Sequence, residues 1–103
     1  MIEAIEHNRE AIAELCRRCG VRKLEVFGSA SRGDFDPETS DIDFLVEFDY
    51  SGGIDDAFDR YFDVKEGLES LLDRRVDLIS SKAIRNPIFA DSVEASRVPL
   101  YAA

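Results

Sequence analysis

The stretch Leu24–Phe48 constrains this chain most, because two short apolar runs are separated there by a polar loop. The first run ends abruptly at Gly28-Ser29, and the second opens at Asp41. Side chains alternate between the two faces of a strand, so Asp41 and Asp43 point the same way. The opposite face would carry the core residues Ile42, Phe44, Val46 and Phe48. The pattern predicts two strands joined by a loop, with two carboxylates at the start of the second strand.

Two carboxylates on one side of a strand repel each other unless a positive charge lies between them. A divalent cation such as Mg²⁺, carrying nucleotide phosphates, accounts for the pair. Gly28-Ser29 supports this interpretation, because a glycine lets the backbone approach a phosphate and a serine hydroxyl can bind its oxygens. The alternative is a hairpin with a solvated acidic loop, in which Asp41 merely ends a turn.

Two other motifs lack residues that they require. Gly28 and Gly33 have the frame of a Walker A loop, but Asp34 follows where that loop requires Lys. An EF-hand counted from Asp34 has Thr39 instead of Gly at its sixth position and Leu45 instead of Glu at its twelfth. Neither a P-loop nor an EF-hand is therefore expected.

A third short strand is predicted at Val76–Ile79, where Asp77 interrupts apolar neighbours. A carboxylate in a strand is costly unless it is paired, exposed or coordinating. By alternation Asp77 faces away from Val76 and Leu78, so it joins the other carboxylates if this strand lies beside theirs. The alternative is an edge-strand Asp that pairs with Arg74 or Arg75.

These residues carry a resemblance. Gly28-Ser29, eleven intervening residues and then Asp41-Ile42-Asp43 resemble the Gly-Ser…Asp-x-Asp signature of the DNA polymerase β-like nucleotidyltransferase superfamily. The run GSASRGD, from Gly28 to Asp34, is similar to the G-S-x-x-R-G-[DE] run of the minimal nucleotidyltransferases, the small MNT antitoxins that pair with HEPN toxins. The gap between Ser29 and Asp41 is one residue longer than is typical of that group. The resemblance spans nearly the whole chain.

The resemblance implies an α/β (α+β) fold: a small mixed sheet of three to four strands with helices packed on one side. It also implies that AMP is transferred from ATP, with two Mg²⁺ ions, to a tyrosine of a HEPN toxin. The implied catalytic and metal-binding residues are Asp41, Asp43 and Asp77. The implied nucleotide-binding residues are Gly28, Ser29 and Arg32, although Arg32 could instead neutralise the acidic loop around it.

Three alternatives remain open at this point. The chain could neutralise a toxin by binding alone, with a vestigial site. It could transfer a nucleotide to a small molecule such as an aminoglycoside, or be a structural or regulatory subunit of a larger nucleotidyltransferase. A domain of this length has no second domain to hold an acceptor, so we expect another polypeptide or a second protomer to complete the site.

Helical periodicity is predicted from Ile2 to Arg18, with Gly20 as its stop, and again from Asp55 or Asp56 to Leu72. The second helix carries an aromatic stripe with Phe58 and Phe62. We expect this stripe to pack against the sheet; a binding surface is the alternative. A weaker helix is predicted at Ile88–Ser96. The apolar end of the chain either docks onto its own core or contacts a partner.

Length and charge limit the function classes. The 103 residues predict one domain, and a net charge of −9 argues against direct nucleic-acid binding and favours a basic protein partner. No apolar run approaches a membrane span and no secretory signal is visible, so we expect a cytoplasmic protein. Cys16 and Cys19 form C-x-x-C without a partner pair, which predicts two reduced thiols, one facing the core. His7 is the only histidine, so Ser-His-Asp chemistry is not expected.

Overall fold

The computed structural model describes residues 3–28, 41–49, 57–81 and 87–103. Helices and strands are both present along these residues, as the sequence predicts. In chain order they are α1 (Glu3–His7), α2 (Arg9–Arg18), β1 (Val21–Phe27), β2 (Ile42–Phe48), α3 (Ala57–Leu72), β3 (Val76–Ser80), α4 (Pro87–Ser96) and β4 (Val98–Ala102).

The four strands form one mixed sheet in the order β3-β2-β1-β4. β1 runs antiparallel to both β2 and β4, whereas β2 and β3 are parallel. Parallel neighbours require a crossover connection, and α3 lies in that connection between β2 and β3. The predicted α/β (α+β) class with a small mixed sheet is confirmed.

One face of the sheet forms the main core. The apolar residues of β2 predicted for that face are all buried, namely Ile42, Phe44, Val46 and Phe48. They pack with Leu24 and Val26 of β1 and with Val76 and Leu78 of β3. Burial of such side chains is worth about 1.5–3 kcal/mol each, so this face determines which way every strand residue points.

Helices α1, α2 and α3 cover that core face. Their buried residues are Ile5 in α1, Ile12, Leu15 and Cys16 in α2, and Val64, Leu68 and Leu72 in α3. Gly20 follows α2 with φ +68°, a left-handed conformation that glycine adopts without strain and that ends the helix as predicted.

The single helix predicted from Ile2 to Arg18 is wrong, because it is divided at Asn8 into α1 and α2. The Asn8 side-chain amide donates to the Ala4 carbonyl at 2.8 Å, which is the acceptor that the Asn8 backbone N–H would use in a continuous helix. That N–H donates to the Ile5 carbonyl instead, at 3.1 Å. An asparagine side chain that competes for backbone partners favours such breaks.

The aromatic stripe of α3 also departs from expectation. Phe58 is 74% exposed and Phe62 is 40% exposed, so the prediction that both pack against the sheet is wrong. The buried stripe of α3 runs through Val64, Leu68 and Leu72, with Tyr61 and Leu71 partly buried beside it. At roughly 100° per residue, Phe58 and Phe62 lie about a quarter turn or more away from that stripe.

The opposite face of the sheet carries a smaller apolar cluster, in which Phe27, Leu45 and Val93 are buried and Ile79 packs against them. Val93 belongs to α4, whose predicted helical character is confirmed. Because α4 covers this second face, the expectation that the helices pack on one side of the sheet is wrong. β4 follows and pairs with β1, and Val98, Leu100 and Tyr101 pack against the main core. The apolar end of the chain therefore docks onto its own sheet.

No helix among the described residues is long and apolar enough to cross a membrane. Cys16 is buried and Cys19 is half-buried, and both are free thiols. Burial raises the pKa of the Cys16 thiol to about 12, so this thiol stays protonated at neutral pH. The prediction of two reduced cysteines, one facing the core, is confirmed.

Candidate active site

The end of β1 lies beside the starts of β2 and β3, at one end of the strands of the sheet. Asp43 of β2 lies directly opposite Asp77 of β3 in the parallel register. On its other side Asp43 lies opposite Phe27, the last residue of β1, so the turn at Gly28 follows immediately beside it. The sequence left open whether the second and third strands are neighbours; they are, and this places two of the candidate carboxylates side by side.

Gly28 lies so close to Asp43 that no side chain fits at this position. A Cβ built on Gly28 would lie 2.5 Å from Asp43 Oδ2, well inside van der Waals contact. Gly28 also has φ +73°, where residues with a Cβ are strained. The glycine therefore lets the chain turn sharply while its backbone stays against the carboxylate.

The three candidate carboxylates differ in their surroundings. Asp43 is half-buried, whereas Asp41 and Asp77 are exposed. Asp41 Oδ1 lies 3.4 Å from Arg75 Nε in an ion pair whose arginine side chain is largely exposed. Exposed pairs of this kind contribute about 0–1 kcal/mol, so Asp41 can exchange Arg75 for another cation at little cost. In the structure Arg75 therefore pairs with Asp41 and not with Asp77.

Oxygen ligands from carboxylates are what Mg²⁺ prefers, and this donor set fits that ion. Asp43 and Asp77 are adjacent, and because Gly28 has no Cβ, the Asp43 carboxylate lies directly against the backbone of the glycine turn. The described side chains do not form a ready group of three metal ligands, and Asp41 lies in an ion pair with Arg75.

Two of the candidate nucleotide-binding residues, Ser29 and Arg32, lie outside the described residues. Their expected contacts with phosphate stay predictions. Of the nucleotide-binding set, Gly28 is the member that the structure places, at the end of β1 beside Asp43.

Ser96, the last residue of α4, is a contributor that sequence reasoning missed. Its hydroxyl oxygen accepts a hydrogen bond from the Gly28 backbone N–H at 3.0 Å. The two residues are 68 positions apart, so no local spacing could have revealed the contact. The bond ties α4 to the glycine turn and fixes the direction of the Gly28 amide next to Asp43.

Because Ser96 holds the turn that the resemblance assigns to nucleotide binding, we expect Ser96→Ala to raise the KM for the nucleotide several-fold with a smaller effect on kcat. The substitution leaves a part-buried N–H without its acceptor, which costs about 1–3 kcal/mol of folding free energy. Steady-state kinetics and urea unfolding would measure the two effects. Ser96→Thr keeps the hydroxyl and should retain the parental KM, and Ser70→Ala, on the exposed side of α3, is the matched control. An unchanged KM in Ser96→Ala would contradict a positioning role.

Comparison with known proteins identifies the family. The nucleotidyltransferase domain family matches residues 9–100, which is most of the chain. The chain belongs to this family. It is a nucleotidyltransferase, and its closely spaced Asp43, Asp77 and Gly28 lie within the matched region.

The nucleotidyltransferase is similar to archaeal proteins named for AMP transfer to proteins. It is 42% identical over 74 residues to a protein of Methanocaldococcus jannaschii provisionally named a protein adenylyltransferase, covering 72% of this chain and 71% of that one. It is 39% identical over 75 residues to the protein adenylyltransferase MntA of Thermococcus cleftensis, covering 73% and 71%.

Solved structures agree with this assignment. A provisionally named minimal nucleotidyltransferase matches with a TM-score of 0.77 and 36% identity, covering 95% of this chain and 94% of that one. A toxin–antitoxin crystal structure with AMP-PNP matches with a TM-score of 0.68 and 25% identity, covering 93% and 74%. The resemblance to the minimal nucleotidyltransferases inferred from the sequence is confirmed.

Proposed function

We propose that this nucleotidyltransferase uses Mg²⁺ to transfer AMP from ATP to a tyrosine hydroxyl of a HEPN-type toxin, and so acts as an antitoxin. The observation that carries the proposal is the alignment of Asp43 with Asp77 beside the turn at Gly28. Two carboxylates next to a glycine turn suit a metal-bound triphosphate. The names of the two archaeal relatives support a protein as the acceptor.

The chain's own residues have distinct parts in this proposal. Mg²⁺, when bound, would neutralise the charge on the attacking and leaving oxygens. Asp43 and Asp77 would hold the cation, joined by Asp41 after it leaves Arg75. The turn at Gly28, with Ser29 and Arg32 following it, would bind the β- and γ-phosphates.

In the transfer step the acceptor oxygen forms a bond to the α-phosphorus, and the bond from that phosphorus to the pyrophosphate oxygen breaks. The acceptor proton must leave as this happens. Asp77 is the exposed carboxylate of the aligned pair, so we assign to it the activation of the acceptor hydroxyl. AMP stays on the acceptor and pyrophosphate departs.

Two observations favour a protein acceptor supplied in trans. The net charge of −9 suits a basic macromolecular partner. The solved structure with AMP-PNP that resembles this chain is a toxin–antitoxin complex, so that relative binds both an ATP analogue and a protein partner.

A second candidate function is neutralisation by binding alone. One observation favours it: the described side chains do not form a group of three that could hold a metal ion. This candidate predicts a stable complex with the toxin and no chemical change in it.

The deciding experiment is the intact mass of a HEPN-type toxin co-expressed with the chain and supplied with ATP and Mg²⁺. We expect the toxin to gain one or more AMP masses, and no gain when the chain carries Asp41→Asn and Asp43→Asn together. A stable complex without a mass gain would show that the chain neutralises the toxin by binding alone. Transfer to an aminoglycoside in the absence of any toxin would show that the acceptor is a small molecule and not a protein.

A further inference from the structure

An aromatic ridge lies on the exposed side of the first turns of α3. Phe58 and Phe62 are spaced i,i+4, their ring centroids are 4.8 Å apart, and both are exposed. Tyr61 continues the ridge, with its ring centroid 5.2 Å from that of Phe62. The two neighbouring phenylalanines expose apolar surface to water, and a partner that covered them would be stabilised by its burial.

Carboxylates flank this ridge along the helix. Asp59, Asp63 and Glu66 are exposed and follow the two phenylalanines on the side away from the core. The two cations of α3 are engaged elsewhere. Arg60 donates to the carbonyls of Gly20 and Asp49, and Lys65 Nζ lies 3.5 Å from Glu69 Oε2. The ridge and its flank therefore present aromatic rings and negative charge.

The ridge is connected to the strand that carries Asp77. The Tyr61 hydroxyl donates to the Leu78 carbonyl of β3, and Leu78 is the residue after Asp77. β3 is an edge strand of the sheet. A partner seated on the ridge would therefore lie along the outer side of α3, beside the edge strand β3 and near the end of β2, where Arg60 contacts Asp49.

We propose that Phe58 and Phe62, flanked by Asp59 and Asp63, form the docking surface for a basic amphipathic helix of the protein that accepts the nucleotide. This proposal deepens the proposed function and rests on it for the identity of the partner as the acceptor. Aromatic residues at i and i+4 on a helix present a ridge that packs into the apolar groove of another helix. Lysine or arginine beside that groove would meet the acidic flank.

The charges argue against a second copy of this chain as the occupant. Two copies facing each other through this surface would bring Asp59, Asp63 and Glu66 towards the same residues of the other copy. Like charges brought together in an interface oppose association, whereas a basic helix turns the same flank into an attraction.

The first test uses a synthetic amphipathic helix of Leu and Lys as the probe, with its affinity for the chain measured by fluorescence anisotropy. We expect binding that weakens with added salt and that falls more than about tenfold in Phe58→Ser/Phe62→Ser. Asp59→Asn/Asp63→Asn should weaken binding and flatten its salt dependence. Ile88→Ser, which removes an 80% exposed apolar side chain from α4, is the matched control and should leave the affinity unchanged. Failure of the parental chain to bind, or equal affinity in the Phe58→Ser/Phe62→Ser variant, would overturn the proposal.

The second test uses AMP transfer to a HEPN-type toxin. Phe58→Ser/Phe62→Ser should raise the KM for the toxin at least tenfold and leave the KM for ATP unchanged, because the ridge contacts the partner and not the nucleotide. If the variant transfers AMP with the parental KM for the toxin, the docking surface is wrong and the proposed function stands. If the helix probe binds at the ridge but the parental chain modifies no toxin, the proposed function fails and the surface stands.

Discussion

Asp43→Asn is expected to lower nucleotidyl transfer by about a thousandfold or more while the chain stays folded. Asp43 lies between the glycine turn and Asp77, so it is the carboxylate best placed to hold a cation against bound phosphates. Asparagine keeps the shape of the side chain but removes the charge that binds the metal. Without metal, the substitution also removes repulsion from Asp77 directly opposite, so the free energy of unfolding should stay the same or rise by a few tenths of a kcal/mol.

Single-turnover transfer and urea unfolding, measured on the same preparations, would check both parts of this prediction. Asp77→Asn should act in the same direction, since Asp77 occupies the facing position in the register. Asp91→Asn makes the same chemical change on the exposed side of α4 and should leave transfer unaffected. Parental transfer rates in both Asp43→Asn and Asp77→Asn would show that the cation is held elsewhere.

Gly28→Ala should reduce both stability and activity. Alanine at φ +73° costs about 1–2 kcal/mol of folding free energy. Its Cβ would also lie 2.5 Å from Asp43 Oδ2, so the carboxylate or the turn must move. Misplacement of about an ångström in a catalytic group costs around a hundredfold in rate, and we expect a loss of that size in transfer.

Gly20→Ala is the matched control for this substitution. Gly20 has a similar φ of +68°, so the backbone strain is comparable. The nearest atom to its added Cβ is Arg60 Nη1 at 2.8 Å, the far end of a flexible side chain remote from the carboxylates. Gly20→Ala should therefore lose stability but keep its transfer activity. If the two variants lost activity equally, the effect of Gly28→Ala would come from general destabilisation and not from the site.

Much of the site could be predicted from the sequence because its geometry is local. Alternation along a strand placed Asp43 on the face opposite Phe44, and Asp77 opposite Val76 and Leu78. The abrupt end of the apolar run at Gly28 marked the turn. These predictions held because burial of one face fixes the direction of every side chain in a strand. The motif joining Gly28 to Asp43 was sufficient to predict the family.

The two errors in the helices have different origins. Helical periodicity extends through Asn8, but its side-chain amide bonds the Ala4 carbonyl and divides the helix. Periodicity also grouped Phe58 and Phe62 with the core stripe, although the sheet reaches only the side of α3 that carries Val64 and Leu68. A pattern with a wide apolar arc does not specify which part of the arc meets the sheet.

By itself, then, the sequence determined the strand faces, the position of the glycine turn and the pair of carboxylates at the start of β2, since each depends on neighbours along the chain. The tertiary structure alone decided that β3 lies parallel to β2 with Asp77 opposite Asp43, that Ser96 holds the Gly28 amide, and that Phe58 and Phe62 face solvent. Each of these depends on which distant segments meet, and that is set by the packing of the whole core.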